Sequence, residues 1–383
     1  MRDAVIVEAV RTPVGRRNGA YKDVNAVDLA AHALTALAER AGIDPSVIDD
    51  VVWGCVDQIG EQALNLGRNA VLAAGWPESV PATTVDRQCG SSQQAVHFAA
   101  GGVISGQYDV AVAGGSESMT RIPMGSTGGH GYGDPIGPAT HTRYGVAQFN
   151  QGIGAEMIAE RWQFSRAQLD EFSLASHERA ATAIDSGAFD RQYAPYPGAG
   201  LAADEGVRRD TSMERLAGLK PAFRPDGVVT AGNSSQISDG SAALLITTSE
   251  HAARLGLRPL VRLHSFALAG DDPVIMLTAP IPATAKVLDR AGLRLDDIGA
   301  FEINEAFASV PMAWLAETEA DRKLVNPLGG AIAIGHPLGA SGATLMTRMV
   351  HHMVDNNIRY GLQSMCEGGG MANATILELL AND

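Results

Sequence analysis

The stretch VDRQCGSSQQAVHFAAGGVISG, residues 85–106, places a cysteine where a buried helix is expected to begin. Cys89 is followed by Gly-Ser-Ser and then by a largely apolar run that carries no charge until Asp109. A helix N-terminus presents unpaired N–H groups and a partial positive charge, both of which favour a thiolate. The pattern predicts a nucleophilic cysteine with a lowered pKa. A core cysteine, the common fate of this residue type, is the alternative.

The composition is that of a globular protein with more than one domain. The chain has 383 residues, of which 45% are hydrophobic and 19% charged. Domains with a single hydrophobic core are usually shorter than this. The net charge of −14 argues against a nucleic-acid-binding surface. An anionic ligand would need a local basic patch.

Cysteine usage and hydropathy indicate the compartment. The chain has three cysteines: Cys55, Cys89 and Cys366. An odd and low number of cysteines argues against the disulfide framework of a secreted protein. The N-terminal segment lacks a signal-peptide pattern, and no apolar window is long enough to span a bilayer. We therefore expect a cytoplasmic protein that does not contact membranes. No CxxC or HxxxH spacing is present, so no metal site is predicted.

Strands alternate with helices at both ends of the chain, which predicts an α/β fold with a mainly parallel sheet. Asn25 is expected to cap a helix that Gly42 ends. The pattern Ser-Arg-Ala-Gln at residues 165–168 indicates a second helix start with a capping box.

The second half of the chain repeats motifs of the first. Ala-Gly at 41–42 recurs at 291–292. Gly-Ser-Ser at 90–92 corresponds to Ala-Ser-Gly at 340–342, and Gly-Gly at 114–115 corresponds to the glycines at 368–370. Such order and spacing indicate an internal duplication, whose matching turns would meet at a site. The predicted domains are an N-terminal α/β half (1–118 with 238–259), an inserted loop domain (119–237) and a C-terminal α/β half (260–383).

The duplication brings distant polar residues toward Cys89. His336 lies in the turn equivalent to the Cys89 turn, Cys366 precedes the second glycine cluster, and Asn304 follows an apolar strand. A thiol, an imidazole, a second thiol and an amide are therefore expected to converge. A carboxylate pair of Glu302 and Glu305 is an alternative, although Cys366 suits the acid role better.

These motifs resemble those of the thiolase family, CoA-dependent acyltransferases that cleave or form 3-ketoacyl-CoA. The matching segments extend over nearly the whole chain: RTP at 11–13, RQCGSS at 87–92, TAGNSS at 230–235, NEAFA at 304–308, GGA at 329–331, GHP at 335–337 and CEGGG at 366–370. The resemblance implies a thiolase-like, internally duplicated α/β core with layered helices and two mixed sheets, plus an inserted loop domain that binds CoA.

The resemblance also implies catalytic roles. Cys89 would take the acyl group as a thioester, and His336 would accept its proton and then help to hold a thioester oxygen. Asn304 would position a water that completes this oxyanion hole. Cys366 would exchange the proton at the α-carbon, and the backbone N–H groups of Cys89 and Gly368 would form a second oxyanion hole.

Substrate contacts follow from the same resemblance. A basic residue would meet the CoA phosphates, small residues would line the pantetheine, and apolar residues would line the channel to the thiols. The residues at these positions are Arg208, Lys220, Ala231, Ser235, Met276 and Phe307. CoA, acetyl-CoA and 3-ketoacyl-CoA are the implied substrates, with no resident cofactor, and the implied assembly is a homodimer or homotetramer.

One departure from the family pattern concerns the acyl group. Members specialised for acetoacetyl-CoA commonly carry His-Met where this chain has Asn150-Gln151, which favours larger 3-ketoacyl groups. An acetoacetyl-CoA-specific thiolase stays an alternative. Two further alternatives are a decarboxylating condensing enzyme of the same fold, which does not need Cys366, and a non-catalytic thiolase-like binding protein.

Overall fold

The computed structural model describes residues 2–128, 131 and 133–380. The strands are β1 (Val5–Arg11), β2 (Gly15–Arg16), β3 (Asp50–Gly54), β4 (Ala82–Val85), β5 (Val110–Ser118), β6 (Ser238–Thr247), β7 (Val261–Gly270), β8 (Ala300–Ile303), β9 (Tyr360–Glu367) and β10 (Met371–Leu379). The α-helices are α1 (Ala26–Ala41), α2 (Leu66–Ala73), α3 (Ser91–Ser105), α4 (Pro138–Tyr144), α5 (Gln151–Arg161), α6 (Arg166–Asp185), α7 (Met213–Ala217), α8 (Ser249–Arg254), α9 (Pro280–Ala291), α10 (Ser309–Thr318), α11 (Ala331–Ile334) and α12 (Leu338–Asn356).

The strands form one mixed sheet in the order β4-β3-β5-β6-β1-β7-β10-β9-β8, with β2 paired to β6. The run β3-β5-β6-β1 has the same pairing directions as the run β8-β9-β10-β7: one parallel pair followed by two antiparallel pairs. This correspondence supports the internal duplication, and the predicted α/β class is confirmed.

Two details of the predicted sheet differ from the structure. The two expected sheets are joined into one, because β1 and β7 pair through Val5↔Arg262 and Ile6↔Val261. The sheet is also not mainly parallel, since the pairs β3–β4, β3–β5 and β8–β9 are parallel and the other pairs among the described residues are antiparallel. Strand β6 pairs antiparallel with β5 although residues 119–237 separate the two strands, and strand–helix alternation does not encode such a long-range pairing.

Helices α3 and α12 pack against each other under the sheet, as the duplication predicts. Their apolar faces share one buried cluster that includes Val96, Ala99 and Met346. The contact is close near the helix starts, where the backbone N–H of Ala343 donates to Ser92 Oγ at 2.9 Å. A Cβ added to Gly342 would lie 2.5 Å from the backbone nitrogen of Gln93, so only glycine allows this approach.

The local helix signals are confirmed. The side chain of Asn25 accepts a hydrogen bond from the backbone of Val27 at the start of α1, and Gly42 ends that helix with a φ of 67°. Ser165 and Gln168 form the predicted capping box of α6. Both signals act within one helical turn, which is why they are readable without the tertiary structure.

The segment between β5 and β6 contains helices α4 to α7 and, among its described residues, no strand. The division into two halves and an inserted loop domain stays a prediction. His130, one of two loop histidines, lies outside the described residues. Within the described ranges, no helix has the length and apolar character needed to cross a bilayer, and no three His, Cys, Asp or Glu side chains are grouped to hold a metal ion.

Candidate active site

Cys89 lies in a tight turn immediately before α3. Gln88 adopts a φ of 49°, a left-handed conformation that is unusual for a residue with a side chain. The hydroxyl of Ser91 fixes the turn, because it accepts from the backbone N–H of Arg87 at 2.9 Å and donates to the carbonyl of Gln88 at 2.6 Å. The cap residue of α3 is Gly90, so Cys89 precedes the helix by two residues.

The predicted lowering of the Cys89 pKa is wrong. Burial raises the pKa of this thiol well above its usual value, and a negative charge on Cys366 or Glu367 raises it further when either group is ionised. The residue is 7% exposed, so the loss of hydration outweighs the favourable field of the helix N-terminus. The resting thiol is therefore protonated and needs a base in order to act as a nucleophile.

His336 is held in one tautomer by Ser341. The Ser341 hydroxyl donates to the carbonyl of Pro337 at 2.8 Å, and His336 Nδ1 lies 2.6 Å from Ser341 Oγ. Because the only hydroxyl proton is already used, Nδ1–H is the donor and Nε2 carries the free lone pair. Burial lowers the pKa of His336 to about 4, so the imidazole is neutral near pH 7.

Asn304 connects the imidazole with the second thiol. Its Nδ2 lies 3.4 Å from His336 Nε2 and 3.7 Å from Cys366 Sγ. The residue directly follows β8, and its backbone N–H donates to the carbonyl of Ser364 on β9 at 3.1 Å. Its Oδ1 is buried without a hydrogen-bond partner, so it can accept a hydrogen bond from a water or a substrate.

Cys366 and Gly368 lie where β9 turns into β10. Burial raises the pKa of Cys366 to about 11, although the amide of Asn304 opposes part of this increase. Gly369 and Gly370 have φ values of 80° and 76°, which only glycine adopts without strain. A Cβ on Gly368 would lie 2.8 Å from Oε1 of Gln88, so this turn contacts the Cys89 turn.

The structure thus brings the five predicted catalytic residues to one place. Asn304 contacts both His336 and Cys366, and the turn of Gly368 contacts the turn of Cys89. Such a site combines a buried thiol, a neutral base and a second thiol with amide donors. That set can transfer an acyl group through a thioester and exchange a proton at a carbon next to a carbonyl.

Two of the predicted CoA-binding residues line one cavity. Its walls include Arg208 and Ala231 together with His177, Arg215 and Gln236. The backbone N–H of Arg208 donates to His177 Nδ1 at 3.1 Å, and the residue is exposed. Lys220 is exposed and does not line this cavity.

The remaining predicted residues lead from this cavity toward the thiols. Ser235 donates its backbone N–H to the carbonyl of Ala306 at 2.9 Å. Phe307 and Met276 are buried in one apolar cluster with Cys366. Met276 has a φ of 64°, a rare conformation that is consistent with a functional constraint.

Two protein-family models match this chain. The thiolase N-terminal domain model matches residues 4–250, and the thiolase C-terminal domain model matches residues 257–379. The chain belongs to the thiolase family.

Relatives of this thiolase match it over nearly their whole length. It is 49% identical to the steroid 3-ketoacyl-CoA thiolase FadA6 of Mycobacterium tuberculosis, with 99% of this chain and 95% of the relative covered. It is 44% identical to a 3-ketoacyl-CoA thiolase of Pectobacterium carotovorum, covering 99% and 100%. The crystal structure of the Bacillus anthracis acetyl-CoA acetyltransferase superposes with a TM-score of 0.90 at 38% identity, with 99% of each chain covered.

Sequence reasoning missed two residues of this thiolase site. Ser341 was placed only in the duplicated turn, although its spacing of five residues from His336 in a Gly- and Pro-rich turn is a detectable signal. Arg215 lines the cavity beside Arg208 and is paired with Asp210. Its role was not visible because α7 is too short to show a periodic pattern.

Proposed function

We propose that this thiolase cleaves 3-ketoacyl-CoA with CoA through an acyl-Cys89 intermediate and catalyses the reverse Claisen condensation. The observation that carries the proposal is the amide of Asn304, which lies within 3.4 Å of His336 Nε2 and 3.7 Å of Cys366 Sγ. This contact joins the base that serves one thiol to the second thiol, as a two-thiol reaction requires.

In the first step, Cys89 transfers its proton to His336 Nε2 and its sulfur attacks the keto carbon. The high pKa of Cys89 and the low pKa of His336 disfavour a resting ion pair, so proton transfer accompanies the attack. The developing oxyanion is held by the backbone N–H groups of Cys89 and Gly368.

In the second step, the bond between the α- and β-carbons breaks, leaving the acyl group on Cys89 and the enolate of acetyl-CoA. The thioester oxygen of the enolate accepts from protonated His336 and from a water that Asn304 positions. Cys366 gives its proton to the enolate carbon, and acetyl-CoA leaves. A second CoA thiol then passes its proton to the Cys366 thiolate and attacks the acyl-enzyme. The bond between Cys89 and the acyl group breaks, acyl-CoA leaves, and Cys89 regains its proton from His336.

The acyl group is proposed to be larger than acetoacetyl. An apolar recess adjoins Asn150, and its walls include Val146, Phe149, Ile153 and Val274. Phe149 packs against the apolar cluster that contains Met276 and Cys366, which supports a role for this recess in binding the acyl group. Contact with these half-buried apolar side chains would stabilise a bulky acyl group by about 25 cal/mol for each Å² of apolar surface removed from water.

CoA is proposed to enter along the cavity of Arg208 and Ala231, with its pantetheine along residues 231–235. Arg208 supplies a local positive charge at this cavity, since the charge of Arg215 is offset by its partner Asp210, on a chain whose net charge is −14. No resident cofactor takes part in this scheme. A cytoplasmic homodimer or homotetramer is the proposed setting.

A thiolysis assay with a panel of 3-ketoacyl-CoAs tests the proposal. The panel includes acetoacetyl-CoA, medium straight chains, and branched or ring-bearing acyl groups. We expect kcat/KM to be higher for the larger acyl groups than for acetoacetyl-CoA. Activity with acetoacetyl-CoA alone would contradict the substrate class, and CoA-independent decarboxylation of malonyl thioesters would favour the condensing enzyme instead.

A further inference from the structure

Glu367 is a buried acid that the proposed reaction does not use. It is the last residue of β9 and lies between Cys366 and Gly368 in the sequence. Its side chain has no exposed surface, and neither carboxyl oxygen accepts a hydrogen bond of normal length and angle among the described residues. An ionised carboxylate in such a position lacks both water and donors, which is costly.

The carboxyl group lies directly against the Cys89 turn. A Cβ added to Gly90 would be 2.0 Å from Glu367 Oε1, so the acid fills the space beside the residue that follows the nucleophile. Asn373 on the neighbouring strand, which could have served as a donor, gives its Nδ2 proton to the carbonyl of Gly90 at 3.0 Å instead.

Charged groups around Glu367 do not neutralise it. The nearest base is Arg87, whose Nη1 lies 3.8 Å from Met371 Sδ and whose Nε is buried without a partner. Asp86, next to Arg87, adds a negative charge. Burial and the charge of Asp86 raise the pKa of Glu367, Arg87 and the Asn373 backbone N–H lower it, and the net result is a pKa raised to about 8.

Ionisation of Glu367 acts on both thiols. A negative charge on this side chain raises the pKa of Cys89 and the pKa of Cys366. Like charges close to each other in a buried site oppose each other's ionisation. The acid therefore suits the reaction in its neutral form and opposes it in its charged form.

We propose that Glu367 is an uncharged carboxylic acid in the active enzyme and that its ionisation at alkaline pH suppresses thiolate formation at Cys89 and Cys366. The proposal rests on the roles proposed above for these two cysteines. It assigns Glu367 an indirect, electrostatic role: the group touches neither substrate nor reacting atoms and acts through the two thiols. The reaction rate of an ordinary thiol increases with pH because more thiolate forms. For Cys89 and Cys366 this increase is smaller, because Glu367 loses its proton over the same pH range and its negative charge opposes thiolate formation.

Alkylation of Cys89 by iodoacetamide, followed by peptide mass spectrometry, tests the proposal without requiring thiolase activity. The rate is measured against pH in the wild type and in two neutral variants, Glu367→Gln and Glu367→Met. Glu378→Gln is the matched control, because Glu378 belongs to the same hairpin but pairs with Arg262. At pH 9 we expect both neutral variants to react about tenfold faster than the wild type, which corresponds to one pKa unit.

At pH 6.5 the wild type and the neutral variants are expected to react at similar rates, and the control is expected to follow the wild type throughout. Equal rates in all four proteins up to pH 10 would overturn the proposal. A wild type that shows no thiolysis would contradict the proposed function. If its Cys89 still reacts more slowly than that of the Glu367 variants at pH 9, this inference stands.

Infrared difference spectra give a second readout that does not depend on reactivity. A protonated carboxylic acid band is expected in the wild type at pH 7, absent from whichever of the two neutral variants folds. Glu302 is another buried acid, with its pKa raised to about 7 by burial, so the variant spectrum is needed to assign the band. A wild type that shows no such band at pH 7 would overturn the proposal.

Discussion

Ser341 Oγ lies 2.6 Å from His336 Nδ1 and turns the imidazole so that Nε2 carries its free lone pair. The serine is itself fixed, because its hydroxyl donates to the carbonyl of Pro337 at 2.8 Å. Ser341 belongs to the first turn of α12 and occupies the position that corresponds to Ser91 in the first half. The two serines therefore brace the two duplicated turns that form the site.

Replacing Ser341 by Ala is expected to lower kcat for thiolysis about tenfold to a hundredfold, part of the factor that a positioned base contributes. The imidazole would lose the acceptor that selects its tautomer. The pH profile of kcat should change shape, because both tautomers would then be populated. Ser105→Ala at the far end of α3, where the hydroxyl bonds the carbonyl of Gly102, is the control and should leave both unchanged. An unaltered kcat in the Ser341 variant would rule out the orienting role.

The acid limb of kcat/KM is expected near pH 4, well below the ordinary histidine value. Burial lowers the pKa of His336 to about 4, so the neutral, proton-accepting form persists as pH falls and is lost only when pH passes through that value. The measurement is kcat/KM against pH, with circular dichroism at each pH to confirm that the chain stays folded. An inflection near 6.5 in a folded protein would show that His336 titrates as an exposed histidine does.

The close contact between α3 and α12 predicts opposite effects of two glycine substitutions. Gly342→Ala would place a Cβ 2.5 Å from the backbone of Gln93 and is expected to reduce the free energy of unfolding by about 1–3 kcal/mol. Gly101 in α3 has no heavy atom within 4 Å of an added Cβ, so Gly101→Ala is expected to stabilise by about 0.5–1 kcal/mol. Urea unfolding measures both, and equal effects would contradict the helix packing described above.

Arg208→Ala is expected to raise KM for CoA about tenfold with little change in kcat, because the residue would meet a phosphate remote from the reacting atoms. Its sequence neighbour Arg209 pairs with Asp185 on the surface, so Arg209→Ala is a matched loss of charge that should leave KM unchanged. A similar increase in KM for both variants would indicate a general effect of net charge and would exclude a specific contact at Arg208.

The parts of the structure that the sequence predicts are those encoded over short distances or repeated. Asn25, Gly42 and Ser165 mark helix ends within a single turn, and the duplicated Gly- and Ser-rich motifs indicate which turns meet. The family motifs include each residue that the structure gathers around Asn304. These features depend on residue type and spacing, which the chain displays directly.

The parts that sequence reasoning predicted wrongly depend on long-range packing. β6 returns to pair with β5 after the whole segment 119–237 has intervened, so its antiparallel direction has no local signal. The pKa of Cys89 is raised because segments distant in the sequence bury the thiol. The spacing of Ser341 from His336 is visible in the sequence, but the hydrogen bonds that join the Ser341 hydroxyl to Pro337 and to His336 Nδ1 form only in the folded turn.

Mass spectrometry of the enzyme mixed with acetyl-CoA tests the proposed roles of the two thiols most directly. We expect one acetyl group on Cys89 in the wild type and also in Cys366→Ala, while that variant loses condensation because no thiol remains to remove the α-proton. Cys89→Ala should carry no acetyl group. An enzyme that condenses acetyl-CoA without a modified Cys89, or that carries the acetyl group on Cys366 instead, would contradict the mechanism.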